Sequence, residues 1–445
     1  MKRMISVIVI CLMLLSVIGV GCTQQEEKTD PAPSKSEQGQ EQAKEKEPVT
    51  LELMHWWAYV EDEILEQFQD RNPHVTIDNQ YVAPDQYSNR IKLLSATNEL
   101  PDVFGIMGPD TQDFIEQGLV KELSYLLEEK AYDQEMAFGE TIEPSLLEAA
   151  QSHLNLEQRA SGKQYLLPFG AITVAVVYNK TIFDELGIDE PRNWDELLSN
   201  NDKLKEAGYI PLSFTGKNWG DWWYRIALEQ NFRDKATQED FLSGDAKWTD
   251  QEAVDAFNTI KEMWNKDHFD PGGFTSGIEE SQALFVQQRM AQFYVVPENF
   301  VTYLIQNTPK EVEIGAYPLP AMVDGMMPKG LGGAPNTLSL NVDSNNKEIA
   351  GDLIKYLISE TTFGKLADVA VVPSLKGYTP PEGDNIMKAF ADAAEGGFIT
   401  NPFPHTSEFI QWLKEEGFPN FLLRDVDTEK FLEEVQEKFE NMVME

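Results

Sequence analysis

From Val49 onward the chain switches repeatedly between two hydrophobic periods, and that alternation limits its fold more than any other feature. Val49, Leu51 and Leu53 are spaced as on one face of a strand. Glu61-Asp62-Glu63 then opens a helix with Ile64, Leu65 and Phe68 on one side, its acids at the end the helix dipole favours. Arg71-Asn72-Pro73 closes it. Val75, Ile77 and Tyr81 alternate again, a helix follows over 85–97, and Val103, Phe104 and Ile106 make a third strand. This β-α-β-α-β order predicts an α/β fold with a largely parallel sheet covered by helices. A second α/β series begins near Val174. It runs through helices at 220–231, 250–266 and 279–289 and strands at 290–296 and 314–319. The last third returns to a strand at 337–341, a helix at 347–358 and a mostly helical end.

The first 48 residues follow another rule. Lys2 and Arg3 precede an apolar run from Ile5 to Val20, and Gly19-Val20-Gly21 puts small residues before Cys22. This is the plan of a secretory signal peptide over 1–21, too short for a membrane span of about 20 apolar residues. A cysteine in that place resembles a bacterial lipoprotein signal, in which Cys22 is lipidated and becomes the mature N-terminus. Acyl chains on Cys22 give stable anchoring to the outer face of the cell membrane. Residues 22–48 follow as a tether. Positions 23–48 hold no aromatic or large aliphatic side chain, so they bury no core and reach about 25–30 Å as a flexible coil.

Charge and cysteine count exclude several functions. The formal net charge is −39. The signal carries +2 and the tether −3, which leaves −38 on residues 49–445. Such a body has no electrostatic footprint for a phosphate backbone, so nucleic-acid binding is not expected. Two cysteines exclude a disulfide scaffold. None of the five histidines forms HExxH, and there is no G-x-S-x-G elbow and no phosphate-binding GxxxxGK[ST] loop. No metal or cofactor is expected.

Aromatic residues stand where strands give way to loops. His55-Trp56-Trp57-Ala58-Tyr59 follows the first strand, and Met107-Gly108-Pro109-Asp110 the third. Trp219, Trp222, Trp223 and Tyr224 follow a strand at 211–214, and Pro297-Glu298-Asn299 follows the strand ending near Val295. Ligands of open α/β sheets bind outside the carboxyl ends of strands. Indole faces stack on the C–H faces of sugar rings while carboxylates and amides bind hydroxyls. Other roles are available to the same residues. Trp194, Trp248, Trp264 and Trp412 read as packing. Trp223 and Tyr224 fit helix core as well as a site. One of Trp56 and Trp57 can face the core, and Asp110 can cap the helix after it.

With these segments in order, residues 49–445 resemble the family 1 extracellular solute-binding proteins of ABC importers, the sugar-binding type related to maltose-binding protein. The opening VTLELMHWW…ILEQFQDRNPHVTI, the LPDVFGI strand and the GGAPNTLSLNVDSNNKEIAGDLIKYLIS segment carry the likeness. GKQYLLPFG…VVYNKTIFDELGI…PRNWDELL is the most specific stretch, with Asn193 where Thr is usual. FVQQRMAQFYVV departs from the pattern, with Gln288 in place of Gly and Gln292 in place of Met. The resemblance implies a two-lobed type II periplasmic-binding-protein fold with the ligand cleft between lobes joined by hinge crossings near 169–171, 317–319 and 359–362. Lobe one is then 49–170 plus 318–360, and lobe two 171–317 plus 361–445. It implies ligand contacts at Trp56, Trp57, Asp110, Phe169, Trp219, Trp222, Glu298 and Gly333, with Glu408 in a further cleft segment. A carbohydrate, an oligosaccharide foremost, is the implied ligand and separate ABC permease subunits the implied partners, with the binding protein a monomer. Two other readings stay open. An extracellular carbohydrate-active enzyme would share the tryptophans and carboxylates. The same receptor could bind a non-sugar solute, and a polyamine would suit the acidic charge.

Overall fold

The computed structural model describes residues 47–231, 245–295, 299–323, 335–367, 369, 371–395 and 406–444. Cys22, Glu298 and Gly333 lie outside the described residues.

Among the described residues ten strands form two sheets. The first holds β1 (Val49–His55), β2 (Val75–Tyr81), β3 (Val103–Gly105), β4 (Leu167–Ala171), β9 (Asn336–Leu340) and β10 (Val372–Pro373), in the order β10-β4-β9-β3-β1-β2. The second holds β5 (Ala175–Asn179), β6 (Ile210–Leu212), β7 (Met290–Val295) and β8 (Ile314–Tyr317), in the order β6-β7-β5-β8. Parallel ladders join β1 to β2 and β3, and β6 to β7, with one isolated parallel bridge from Leu212 to Phe269. The other ladders are antiparallel, so both sheets are mixed rather than largely parallel. The cause is connection length: β1, β2 and β3 are joined through helices, whereas β9 enters between β3 and β4 from a distant part of the chain.

Each sheet carries its own core. Leu51, Leu53, Val103, Leu167, Leu338 and Leu340 pack with Phe68, Leu353 and Tyr356 on the first. Val174, Val176 and Tyr178 pack with Trp223, Tyr224 and Phe257 on the second. The chain passes between the sheets at residues 172–174, where β4 gives way to β5, and again between β8 and β9. The expected third crossing at 359–362 is not there. Ser359 caps the helix Glu360–Lys365, accepting the Thr362 N–H at 3.2 Å, and Phe363, Leu366 and Val371 bury themselves in the first core. β10 then pairs with β4. Past it the helix Asn385–Glu395 buries Phe390 among Ala175, Val177 and Phe293, a cluster that Val372 of β10 also joins. The return therefore lies between Pro373 and Asn385. From Ser407 the helical end buries Phe409, Phe418, Phe431 and Phe439 in the second core.

All three departures from the family pattern have a local account. Gln288 adopts φ +57°, the left-handed conformation that glycine takes without penalty. Gln292 is fully buried on β7, donating to Asn201 Oδ1 (2.7 Å) and the Pro211 carbonyl (3.0 Å) and accepting from the Tyr317 hydroxyl. Asn193 caps its helix as Thr would, accepting the Glu196 N–H at 2.9 Å.

Candidate ligand-binding site

The adjacent tryptophans after β1 divide their duties. Trp57 is almost fully buried, with its ring 4.9 Å from Phe169 and stacked on His55 at 5.4 Å and 4°. Trp56 is only half-buried. Its indole lies over Gly105, where a Cβ would come within 2.6 Å of the ring. Tyr87 meets it edge-on at 4.7 Å. That tyrosine is fixed in turn, its hydroxyl 3.0 Å from the Met54 carbonyl and 2.8 Å from that of Gly105. Gly105 is thus the floor and Tyr87 the wall of a slot for one indole edge.

A hydrogen-bond chain holds the turn. The Asn79 amide nitrogen donates to the Val60 carbonyl (3.0 Å) and to Asp62 (3.2 Å). Its oxygen therefore faces His55 Nε2 at 2.8 Å and accepts that proton. This leaves His55 Nδ1 as the acceptor for the Trp57 backbone N–H at 3.2 Å. A second ring proton would destroy the last bond. Burial pushes the imidazole pKa down to about 4, so it is neutral at physiological pH.

Phe169 is fully buried on β4 and does not line an open surface. The ladder to β9 shifts register between Pro168 and Gly170, so Phe169 is the unpaired residue of a bulge. The Ser374 hydroxyl lies 3.1 Å from its carbonyl. The bulge turns the ring among Trp57, Tyr59 and Phe363. Asp110 is also buried, but makes no capping bond to the helix Thr111–Glu116. It accepts from the Ser88 hydroxyl and pairs with Lys92 at 2.5 Å, both on the helix Pro84–Thr97.

Trp219 and Trp222 behave differently. They are half-buried and stack on each other at 4.7 Å and 8°. Phe300 meets Trp219 edge-on at 5.2 Å. Trp219 ends the loop after β6, and Trp222 sits in the first turn of the helix Gly220–Asn231, three residues on. Trp223 and Tyr224 are buried in the second core, which settles them as packing. Glu408 is exposed in the first turn of the helix Ser407–Trp412. The structure therefore groups Trp56, Trp57 and Phe169 on the first sheet and Trp219 with Trp222 on the second.

Sequence reading missed Gly105, Tyr87 and His153. The His153 ring lies against Gly108, where a Cβ would sit 2.1 Å from Nε2. The glycine in LPDVFGI marks a close approach, but nothing in the spacing says that the approaching group is Trp56. Among the described residues no cluster of His, Cys, Asp or Glu could hold a metal, and no helix is long and apolar enough to cross a membrane.

Two mixed sheets, each with helical cover and joined by three chain crossings, form the two-lobed α/β arrangement of type II periplasmic binding proteins. The model of the bacterial extracellular solute-binding protein family matches residues 56–362, and the chain belongs to that family. It is 24% identical over 335 residues to the diacetylchitobiose binding protein DasA of Streptomyces coelicolor, covering 74% of this chain and 72% of that one. It is 22% identical over 308 residues to the melibiose/raffinose/stachyose-binding protein MelE of Bacillus subtilis, covering 67% and 66%. Among solved structures, the GacH receptor of Streptomyces glaucescens matches with TM-score 0.70 at 17% identity, covering 90% of this chain and 100% of that one. A chitin oligosaccharide binding protein matches with TM-score 0.70 at 21% identity, covering 89% and 99%.

Proposed function

We propose that this chain is the extracellular substrate-binding component of an ABC importer. It captures an oligosaccharide between its lobes and delivers it to a separate permease. The observation that carries the ligand class is the pair of half-buried, parallel indoles at Trp219 and Trp222. A stacked indole with an open face is suited to the C–H face of a sugar ring. The relatives' named ligands, diacetylchitobiose and melibiose/raffinose/stachyose, support the same class.

In this reading Trp56 is the first lobe's stacking face, while Trp57 and Phe169 back it from the core. Glu298, Gly333 and Glu408 are proposed as ligand contacts, while Asp110, buried against Ser88 and Lys92, steadies the loop after β3 from behind. The first lobe comprises 49–171 with 336–373, and the second 175–317 with 385–444. A ligand bridging both lobes favours the closed state by its greater affinity for it, and the hinge segments absorb the motion. Cys22 carries the lipid that holds the protein at the outer face of the cell membrane, with 23–48 as tether. The chain acts as a monomer and performs no chemistry on the sugar.

Intrinsic tryptophan fluorescence of the mature protein, titrated with mono- and oligosaccharides and followed by product analysis, tests this. A saturable change with the sugar recovered intact is expected. Recovery of fragments would make the protein an enzyme. Silence toward every sugar, with a response to polyamines, would overturn the ligand class and leave the receptor fold.

A further inference from the structure

The Trp219–Trp222 pair stands on a loop held by local turn bonds, with the Asn218 and Trp219 N–H groups both donating to the Thr215 carbonyl, and by two distant segments. Thr215 adopts φ +49°, which costs a threonine energy. Gly216 has no room for a side chain: a Cβ would lie 2.5 Å from the Phe274 Cα. The loop is tied down from one side by the 273–278 segment. Gly216 N–H donates to the Gly273 carbonyl, Lys217 N–H to that of Ser276, and Asn218 Oδ1 accepts the Ile278 N–H.

The second tie comes from almost two hundred residues away. Lys414 Nζ donates to the Asn218 carbonyl at 2.9 Å and lies 3.6 Å from the Asp221 carboxylate. Asn218 directly precedes Trp219, and Asp221 directly precedes Trp222. One ammonium therefore contacts the backbone beside the first indole and the side chain beside the second. Lys414 belongs to a single π-turn, Leu413–Gly417, set between the helices Ser407–Trp412 and Phe418–Leu423. The Phe418 N–H bonds to the Leu413 carbonyl, five residues back. The buried face broadens at the same place: Phe409 and Leu413 are followed by the adjacent buried pairs Gly417-Phe418 and Phe421-Leu422. The extra residue widens the helix at Lys414 and pushes that side chain outward, toward the loop.

We propose that Lys414, presented by this π-turn, is a positioning residue that sets the geometry of the Trp219–Trp222 platform. This deepens the sugar-binding reading, on which the affinity half of the test rests. It also explains why a helix at the far end of the chain bears on the ligand site without supplying an aromatic group.

The test uses the mature protein with three substitutions and one deletion. Indoles stacked 4.7 Å apart couple excitonically where their in-plane transition moments cross, and the circular-dichroism signal that Trp222→Phe removes defines the couplet. Lys414→Met is expected to shrink the couplet and weaken binding of a responding oligosaccharide about three- to tenfold. Lys414→Arg should restore both. Deletion of Glu415 turns the five-residue step into four. It keeps Phe409, Leu413 and the following core residues in register while withdrawing Lys414, so it should behave like Lys414→Met. An unchanged couplet in both Lys414→Met and the deletion variant would overturn the proposal. So would loss of the couplet only in step with a large fall in Tm, which marks a merely structural role. If the unmutated protein binds no sugar, the sugar reading fails, and the couplet alone still decides the role of Lys414.

Discussion

The two aromatic groups are built on opposite plans. On the first sheet, Trp57 and Phe169 are sealed into the core, and only Trp56 keeps an open face. On the second, both indoles are half-buried, and hydrogen bonds from two remote segments hold the loop beneath them. Adjacent residues after a strand point to opposite sides, so Trp56 and Trp57 must separate. Residues three apart at a helix start share a face, so Trp219 and Trp222 can stack. The first group is rigid because it is packed. The second packs one side on its core and is held by tethers as well. Mutation should therefore act on stability in the first and on ligand affinity in the second.

The largest expected effect is on the packed side. Trp57→Ala removes a fully buried indole in contact with His55, Trp56 and Phe169 and should cost about 3–5 kcal/mol in denaturant unfolding. A loss under about 1 kcal/mol would place Trp57 with the tethered pair and break the contrast.

Next comes pH. His55 has a native pKa of about 4 against an unfolded value near ~6.5. The unfolded chain then binds the proton while the native chain does not. Stability from this group is complete above about pH 6.5 and is lost as pH falls toward 4, by about 3 kcal/mol in all. Subtracting the pH profile of His55→Asn from that of the unmutated protein isolates the term. A flat difference between pH 7 and 4 would mean that His55 does not serve as the neutral acceptor for Trp57.

The two plans were unequally legible in the sequence. Period and turn residues gave the helix over 220–231 and the strands β5, β7, β8 and β9 to within a residue or two, because each is bounded by its own burial pattern. β4 and β10 were not legible as strands. Leu-Pro-Phe-Gly-Ala has no period-two alternation, and β10 is two residues long. Their pairing is set by β9 and by a bulge, not by local preference. Trp56 and Trp57 announced an aromatic site, but which indole faces inward depends on Gly105 and Phe169, which are remote in sequence. Lys414 gave no signal of its own. The departure from a regular helix around it lies in the backbone bond from Phe418 to Leu413, which no residue pattern announces.

Gly105→Ala probes the seam between the two plans. Its methyl would fall 2.6 Å from the Trp56 ring, and that ring must move because Tyr87 is fixed by its hydrogen bonds. Overpacking of this kind costs about 1–3 kcal/mol. The exposed indole should also shift its emission to the red. Full stability with unshifted emission would show that Trp56 is not seated on Gly105.

The smallest effect on stability is expected where the effect on function is greatest. Trp222 keeps part of its surface exposed but also packs against the second core, so Trp222→Ala should cost about 1–2 kcal/mol of unfolding free energy, well below Trp57→Ala. The same change removes the parallel indole surface on which a sugar ring would rest. Saccharide affinity should therefore fall far more than stability, while Trp57→Ala shows the reverse ratio. Measuring both variants by both assays sets the two plans against each other directly. If Trp222→Ala unfolds the second lobe instead, its half-buried face is structural, and Trp56 is left as the stacking surface of the site.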